Sequence, residues 1–228
     1  MPDHVGMPQK VTVATYNVHH CAGLDDRVDV ERVAGVVVAT GAGIVGFQEL
    51  DELLERSGRT HQARLLAERM GRAVDFFPTL ERAGGRYGLG LATIEGAEAH
   101  LERLPRRGAE EPRGAIVAQV GDLWVIVTHL SRDRFSRASQ TRALASIATS
   151  LEGPVVLMGD LNQGPRSLEP LREAGLDGDG TTHRTMNGWR ARHIDHVLAG
   201  GGARVTRSWT IPSDASDHVP LVAEVSLP

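Results

Sequence analysis

Residues 114–130 read GAIVAQVGDLWVIVTHL. Two runs rich in Val and Ile, GAIVAQV and LWVIVTHL, flank Gly121-Asp122, a pair that supplies the positive φ angles of a tight turn, so the stretch predicts an antiparallel hairpin. The second run meets a polar residue at its end, His129. An ionisable group at the mouth of a buried strand is costly unless it is paired or bound to a metal. Whether other strands end in the same way therefore bears on both fold and function.

Working outward, the hydrophobic pattern switches repeatedly between period two and period three to four. VTVATYNV (11–18), IVGFQEL (44–50), AVDFF (73–77), YGLGLATI (87–94) and PVVLMGDLN (154–162) read as strands, as do HIDHVLAG (193–200), ARVTRSWTI (203–211) and VPLVAEVSL (219–227). DVERVAGVVVAT (29–40), stopped by Gly41 and Gly43, THQARLLAERMG (60–71) and SRASQTRALASIATSL (136–151) have helical spacing. Many hairpin-linked strands with a few helices predict an α/β or α+β sandwich in which helices cover stacked, mostly antiparallel sheets.

The 228 residues, 41% hydrophobic and 24% charged, suit one domain over 1–228 with its core at about 11–225. The net charge of -4 carries no basic block, which disfavours a dedicated nucleic-acid binder, although Arg132, Arg134 and Arg137 could contact phosphate. Cys21 is the only cysteine, so no internal disulfide can form. No stretch approaches the roughly 20 apolar residues of a membrane span and the start resembles no signal peptide, so a cytoplasmic protein without a transmembrane segment is expected. No protein partner is predicted. Lys10 is the only lysine among 25 basic residues, a compositional habit that carries no function.

Polar groups interrupt the apolar runs at strand ends: Asn17, Glu49, His129, Asp160 with Asn162, Asp195, and Asp217-His218. Each type has a use. Glu49 and Asn17 offer hard oxygen ligands to Mg²⁺, which keeps waters for substrate phosphate. His218, held by a carboxylate such as Asp195, could be a general base or a charged stabiliser of a phosphoryl oxygen. Asp160 could orient or deprotonate a water, with Asn162 and His129 donating to charge developing on phosphorus. Singly, each has a plainer reading: Asp160 and Asn162 as turn formers, Glu49 as the start of an ELDELLER helix, His129 as a core histidine, Asn17 as a strand-end cap, Asp217-His218 as a turn. Their joint recurrence at strand ends favours a common site.

The ordered set TYNVHH, GFQELD, RYGLGLAT, VTHLSRDRFSRASQ, MGDLNQGP, HIDHVL and SDHVPLVAEV resembles the endonuclease/exonuclease/phosphatase superfamily, with its DNase I-like fold, from about Val11 to Val225. His19-His20 after the first Asn, and Gln140 late in the fourth motif, are similar to its compact bacterial metal-dependent hydrolase subgroup. The resemblance implies a four-layered sandwich, two central sheets between helices, with a Mg²⁺-dependent phosphoesterase site (Mn²⁺ as a possible substitute) at one end. It places Asn17, Glu49 and Asp217 at the metal and His129 on the scissile phosphate. Asp160 and Asn162 would position water and stabilise the transition state, and Asp195 would orient His218. The substrate expected is a phosphate ester, with nucleic acid allowed but not favoured by charge. Tyr87 and Arg192 are candidate substrate contacts, and Arg184, Arg190 and Arg192, near Asp195, could grip a second phosphate. Met186 and Trp189 in the same loop read as a packed turn that shapes the site. The chain departs from the family where YGLGLATI replaces a pattern like YGNALLSR, and where Ser131 replaces the usual acid after THL.

Overall fold

The computed structural model describes residues 9–94, 96–187 and 192–228. One sheet has the order β10 (Arg204–Thr210), β11 (Leu221–Ser226), β1 (Lys10–Asn17), β2 (Ile44–Glu52), β4 (Gly85–Thr93), β3 (Val74–Arg82). The other runs β5 (Glu98–Arg103), β6 (Gly114–Val120), β7 (Leu123–His129), β8 (Val155–Asp160), β9 (Asp195–Gly200). Each sheet contains one parallel pair, β1–β2 and β7–β8, and is otherwise antiparallel.

Parallel neighbours need a crossover, and a helix supplies each one. Between β1 and β2 lies α1 (Val30–Thr40), where Asp29 caps the start by accepting from the Arg32 N–H and Gly41 ends it in the left-handed region at φ 64°. Between β7 and β8 lies α3 (Arg134–Ser150), capped by Asp133, which accepts from the N–H groups of Phe135 and Ser136. The shorter α2 (Gln62–Met70) and α4 (Glu169–Glu173) complete the outer layers.

Three hydrophobic clusters separate four layers. Between the sheets, Val13, Ile44 and Leu91 meet Ile116, Val125, Val127 and Met158. The sheets approach so closely that a Cβ at Gly46 would sit 2.7 Å from Val127. Outside the first sheet, Val33, Val37 and Leu66 of α1 and α2 cover Tyr16, Val45 and Phe47. Outside the second, Leu144 and Leu171 of α3 and α4 cover Ile126, Leu157 and Leu198. Each such side chain contributes roughly 1.5–3 kcal/mol when fully removed from water. The arrangement is the DNase I-like sandwich expected from the sequence.

Two elements were not legible in advance, the edge strand β5 and the five-residue α4. The ELDELLER helix offered as the plain reading of Glu49 does not form, because β2 continues to Glu52 and pairs with β4.

Candidate functional site

Parallel pairing puts the carboxyl ends of two neighbouring strands at the same edge of a sheet, and both sheets turn that edge the same way. In the first, Asn17 ends β1 level with Gln48 of β2. In the second, His129 ends β7 opposite Asp160 of β8, which faces Asp195 of β9.

Glu49 reaches the edge through a β-bulge. The register with β4 slips between Phe47 and Leu50, and Glu49 takes φ 65°, a left-handed conformation that costs a non-glycine residue of order 1–3 kcal/mol. The bulge lifts the carboxylate out of the strand's alternation. Asn17 then joins the two sheets, its Nδ2 donating to Glu49 Oε1 at 3.0 Å and to Asp160 Oδ2 at 3.1 Å. Its Oδ1 accepts from the His19 N–H at 3.1 Å. So placed, Asn17 orients two carboxylates; using its oxygen as a metal ligand would require the amide to turn over and give up the His19 contact.

Asp160 is held from several sides. Its Oδ1 accepts from the Asn162 N–H at 2.9 Å, and its Oδ2 lies 3.4 Å from His129 Nε2 and 3.8 Å from His218 Nε2. Asn162, at φ 51°, donates from Nδ2 to the Leu130 carbonyl at 2.9 Å. Gly159 allows β8 to come this close: a Cβ there would lie 2.0 Å from the Thr128 carbonyl oxygen. Burial, reinforced by the nearby Asp195 charge, pushes the Asp160 carboxyl upward from its ordinary value.

His218 Nδ1 and Asp195 Oδ2 are 2.8 Å apart, and both side chains are buried. Burial alone disfavours the imidazolium, but the Asp195 charge and hydrogen bond outweigh it and carry the pKa from 6.5 to about 10. His129 is the contrast: burial first, then the charges of Arg113, His218 and Arg132, hold it well below the usual histidine range. The site thus contains one charged and one neutral imidazole at neutral pH.

Asp217 is the more open acid, with Oδ1 3.9 Å from His19 Nδ1. Its neighbour Ser216 donates to the Asn17 carbonyl at 2.8 Å, tying this segment to β1. Thr185, fully buried, anchors the opposite flank. Its carbonyl accepts from the Val219 N–H at 2.8 Å, and its Oγ1 accepts from the Asp195 N–H at 3.2 Å. Gln140 steadies the turn after β7, accepting from the Ser131 N–H at 2.8 Å and donating to the Pro105 carbonyl at 2.9 Å.

These ends enclose a cavity of about 350 Å³. Glu49, Tyr87, His129, Asp160, Asn162, Arg192, Asp217 and His218 line it, while Asn17 and Asp195 stand behind and are hydrogen-bonded to its walls. Arg184 does not line it, and Trp189 and Arg190 lie outside the described residues. Five lining residues escaped the sequence reading: Arg56, Arg82, Glu111, Arg113 and Ile194. Arg56 is fixed by two 2.8 Å bonds to Asp51 and lies 5.6 Å from the Tyr87 ring centroid. Among 24 arginines with no sequence pattern, nothing marked these in advance.

The donor set suits a divalent cation. Glu49 and Asp217 line the cavity with their carboxylates, and Asp195 Oδ1 is a buried acceptor without a partner among the described residues. Asp160, Asp195 and His218 also bring one donor atom each within 4.8 Å of one another. Of these, His218 Nδ1 and Asp195 Oδ2 are already paired with each other.

A family model described as "Endonuclease/Exonuclease/phosphatase family" matches residues 14–218. The chain belongs to this family. Comparison with curated proteins gives no match. Among solved structures, an endonuclease/exonuclease/phosphatase from Beutenbergia cavernae is 21% identical with a TM-score of 0.80, over 96% of this chain and 72% of that one. A family protein from Bacteroides thetaiotaomicron is 18% identical with a TM-score of 0.75, over 97% and 96%. TDP2 from D. rerio, solved with a single-strand DNA product, is 16% identical with a TM-score of 0.73, over 96% and 99%. At these identities the likeness establishes the shared fold. The family is generally hydrolytic and typically uses divalent metal ions.

Proposed function

We propose that this protein is a Mg²⁺-dependent phosphoesterase that cleaves a small phosphodiester or phosphomonoester by in-line attack of water. The observation that carries this reading is the convergence of Glu49, Asn17, Asp160 and the His218–Asp195 pair on one cavity. Glu49 and Asp217, with Asn17 behind them, would hold the cation, which supplies Lewis-acid polarisation of a phosphoryl oxygen.

His218 enters the reaction charged, because Asp195 keeps its proton on through neutral pH. That suits donation from Nε2 to a phosphoryl oxygen better than proton removal, so of its two candidate roles the charged stabiliser is favoured. Asp160, with its carboxyl raised by burial, is the better proton acceptor for the attacking water, since a base works best with a pKa near the working pH. One Asn162 amide hydrogen is spent on Leu130, which leaves the second for a phosphate oxygen. Neutral His129 would hold the phosphate by hydrogen bonding rather than charge, and Tyr87 and Arg192 would contact the rest of the substrate.

The acidic chain, its 4% aromatic content and a cavity of about 350 Å³ support a small ester over a polynucleotide. A reducing cytoplasm suits its one buried thiol, Cys21.

The test is release of nitrophenol from bis-p-nitrophenyl phosphate and p-nitrophenyl phosphate with Mg²⁺, Mn²⁺ or chelator, using wild type, Glu49→Ala and His218→Ala. Metal-dependent release that both substitutions abolish is expected, and the diester-to-monoester ratio separates the two ester classes. Unchanged rates in folded variants would overturn the assignment. No release with any metal would favour a catalytically silent binding module on the same fold.

A further inference from the structure

One wall of the cavity is built of arginines that the chemistry above does not use. Arg113 directly precedes β6, Arg132 follows β7, and Arg82 ends β3 on the opposite sheet; all three line the cavity. Arg113 is only 9% exposed and neighbours the Tyr87 hydroxyl, yet its Nε finds no hydrogen-bond partner among the described residues. The one carboxylate within 4.0 Å of it among the described residues is Glu111, with Nη1 3.1 Å from Oε1. Arg82 and Arg132 are exposed and have no carboxylate within 4.0 Å among the described residues. The downward push of Arg113 and Arg132 on His129 places both beside the same imidazole.

Arg113 and Arg132 border the centre at His129, and the wall runs from there to Arg82 on the facing sheet. Gly114, next to Arg113, belongs to β6, two strands from Asp160 on β8, and strands are spaced about 4.8 Å apart, so the backbones are roughly 10 Å apart across the rim. Arg113 is paired with Glu111, which lines the same cavity. Three guanidinium groups set against one Glu111 carboxylate leave a surplus of two positive charges, which matches a phosphate monoester. A half-desolvated guanidinium surplus with an unpartnered buried N–H is unfavourable unless an anion completes it.

Resting on the phosphoesterase reading, we propose that Arg82, Arg113 and Arg132 form a second anion subsite, which takes a non-scissile phosphate or carboxylate of a small substrate. The subsite would select esters carrying two anionic groups roughly 10 Å apart or less.

The experiment is calorimetric titration of chelator-treated protein with thymidine 5′-phosphate against thymidine 3′,5′-bisphosphate, and with inositol 1-phosphate against inositol 1,4-bisphosphate. At least one bisphosphate should bind about tenfold more tightly than its monophosphate, as one added charge-assisted contact allows. The gap should shrink to about twofold in Arg82→Gln/Arg132→Gln, whose exposed side chains are not needed for folding, and likewise in Arg113→Gln if that buried variant folds. Equal binding within both pairs, a gap that survives Arg82→Gln/Arg132→Gln, or no binding by any of the four overturns the subsite. Because the titration needs no turnover, a protein that keeps the gap but releases no nitrophenol would retain the subsite and lose the hydrolase assignment. The reverse result would do the opposite.

Discussion

Asp195→Asn isolates the charge that sets the state of His218 while leaving the side chain's shape nearly unchanged. A rise from 6.5 to about 10, at roughly 1.4 kcal/mol per pH unit, corresponds to about 5 kcal/mol favouring the charged imidazole in the folded protein. The chain contains a contrast: His196, whose ring bonds the Gln163 carbonyl rather than a carboxylate, is pushed down to about 4, burial outweighing the pull of Asp195. In metal-free Asp195→Asn, His218 should therefore titrate at or below the ordinary histidine value rather than near 10. Because the folded pKa is the higher one, the pair's contribution is fully present below about pH 6.5 and is lost as the pH rises through about 10. The gap in melting temperature between wild type and variant should be widest near pH 6 and close toward pH 10. Imidazole NMR titration and thermal melts across that range measure both quantities. Turnover should fall about a hundredfold or more, because a neutral imidazole no longer stabilises charge on phosphorus. A His218 resonance that still titrates above about pH 9 in the variant would refute the reasoning, as would a melting gap that is the same at pH 6 and pH 10.

The other expectations follow from single contacts. Gly159→Ala puts a Cβ 2.0 Å from the Thr128 carbonyl oxygen and should cost about 3 kcal/mol or more, roughly 10 °C in melting temperature; a loss under about 2 °C would mean that β8 can shift freely. Thr185→Val removes the oxygen that accepts from the Asp195 N–H, so kcat should fall several-fold with KM little changed, and equal effects on both would argue for a loosened cavity instead. His196, stacked on His193 and within 2.8 Å of the Gln163 carbonyl, is buried in its neutral form. Its depressed pKa means that stability present above about 6.5 is lost as the pH falls toward 4, so His196→Gln should flatten the acid limb of a melting-temperature profile, and an unchanged limb would remove His196 from the account.

Much of this was legible in the sequence because the signals were local. Gly121-Asp122 between two Val-rich runs could hardly be anything but a hairpin, and β6 and β7 pair through it from Val120–Leu123 onward. The acids, amides and histidines were visible as interruptions at strand ends, and the register His129–Asp160–Asp195 is the physical form of that pattern. What escaped was decided by distant partners. EAHLER has too few apolar residues to announce a strand, and β5 exists because the edge of β6 accepts it. ELDE looked helical, yet pairing of Leu50 and Glu52 with Gly88 and Arg86 extends β2 through its bulge. In a chain whose basic residues are nearly all arginine, no local feature could show that Arg82, Arg113 and Arg132 face one cavity, since three separate segments bring them there.

The position of β11 has a consequence for how the protein is made. It lies inside its sheet, between β10 and β1, with Ser226 opposite Lys10. A nascent chain synthesises Asn17 and Glu49 early, but it leaves the ribosome with the flank of β1 open, a bare row of peptide groups able to capture the wrong strand. The residues that close that gap, 217–226, also deliver Asp217 and His218 to the centre. Completing the sheet and arming the cavity are thus one event, reached only after the other ten strands have been made, and a product that stops short of it carries an aggregation hazard without Asp217 and His218.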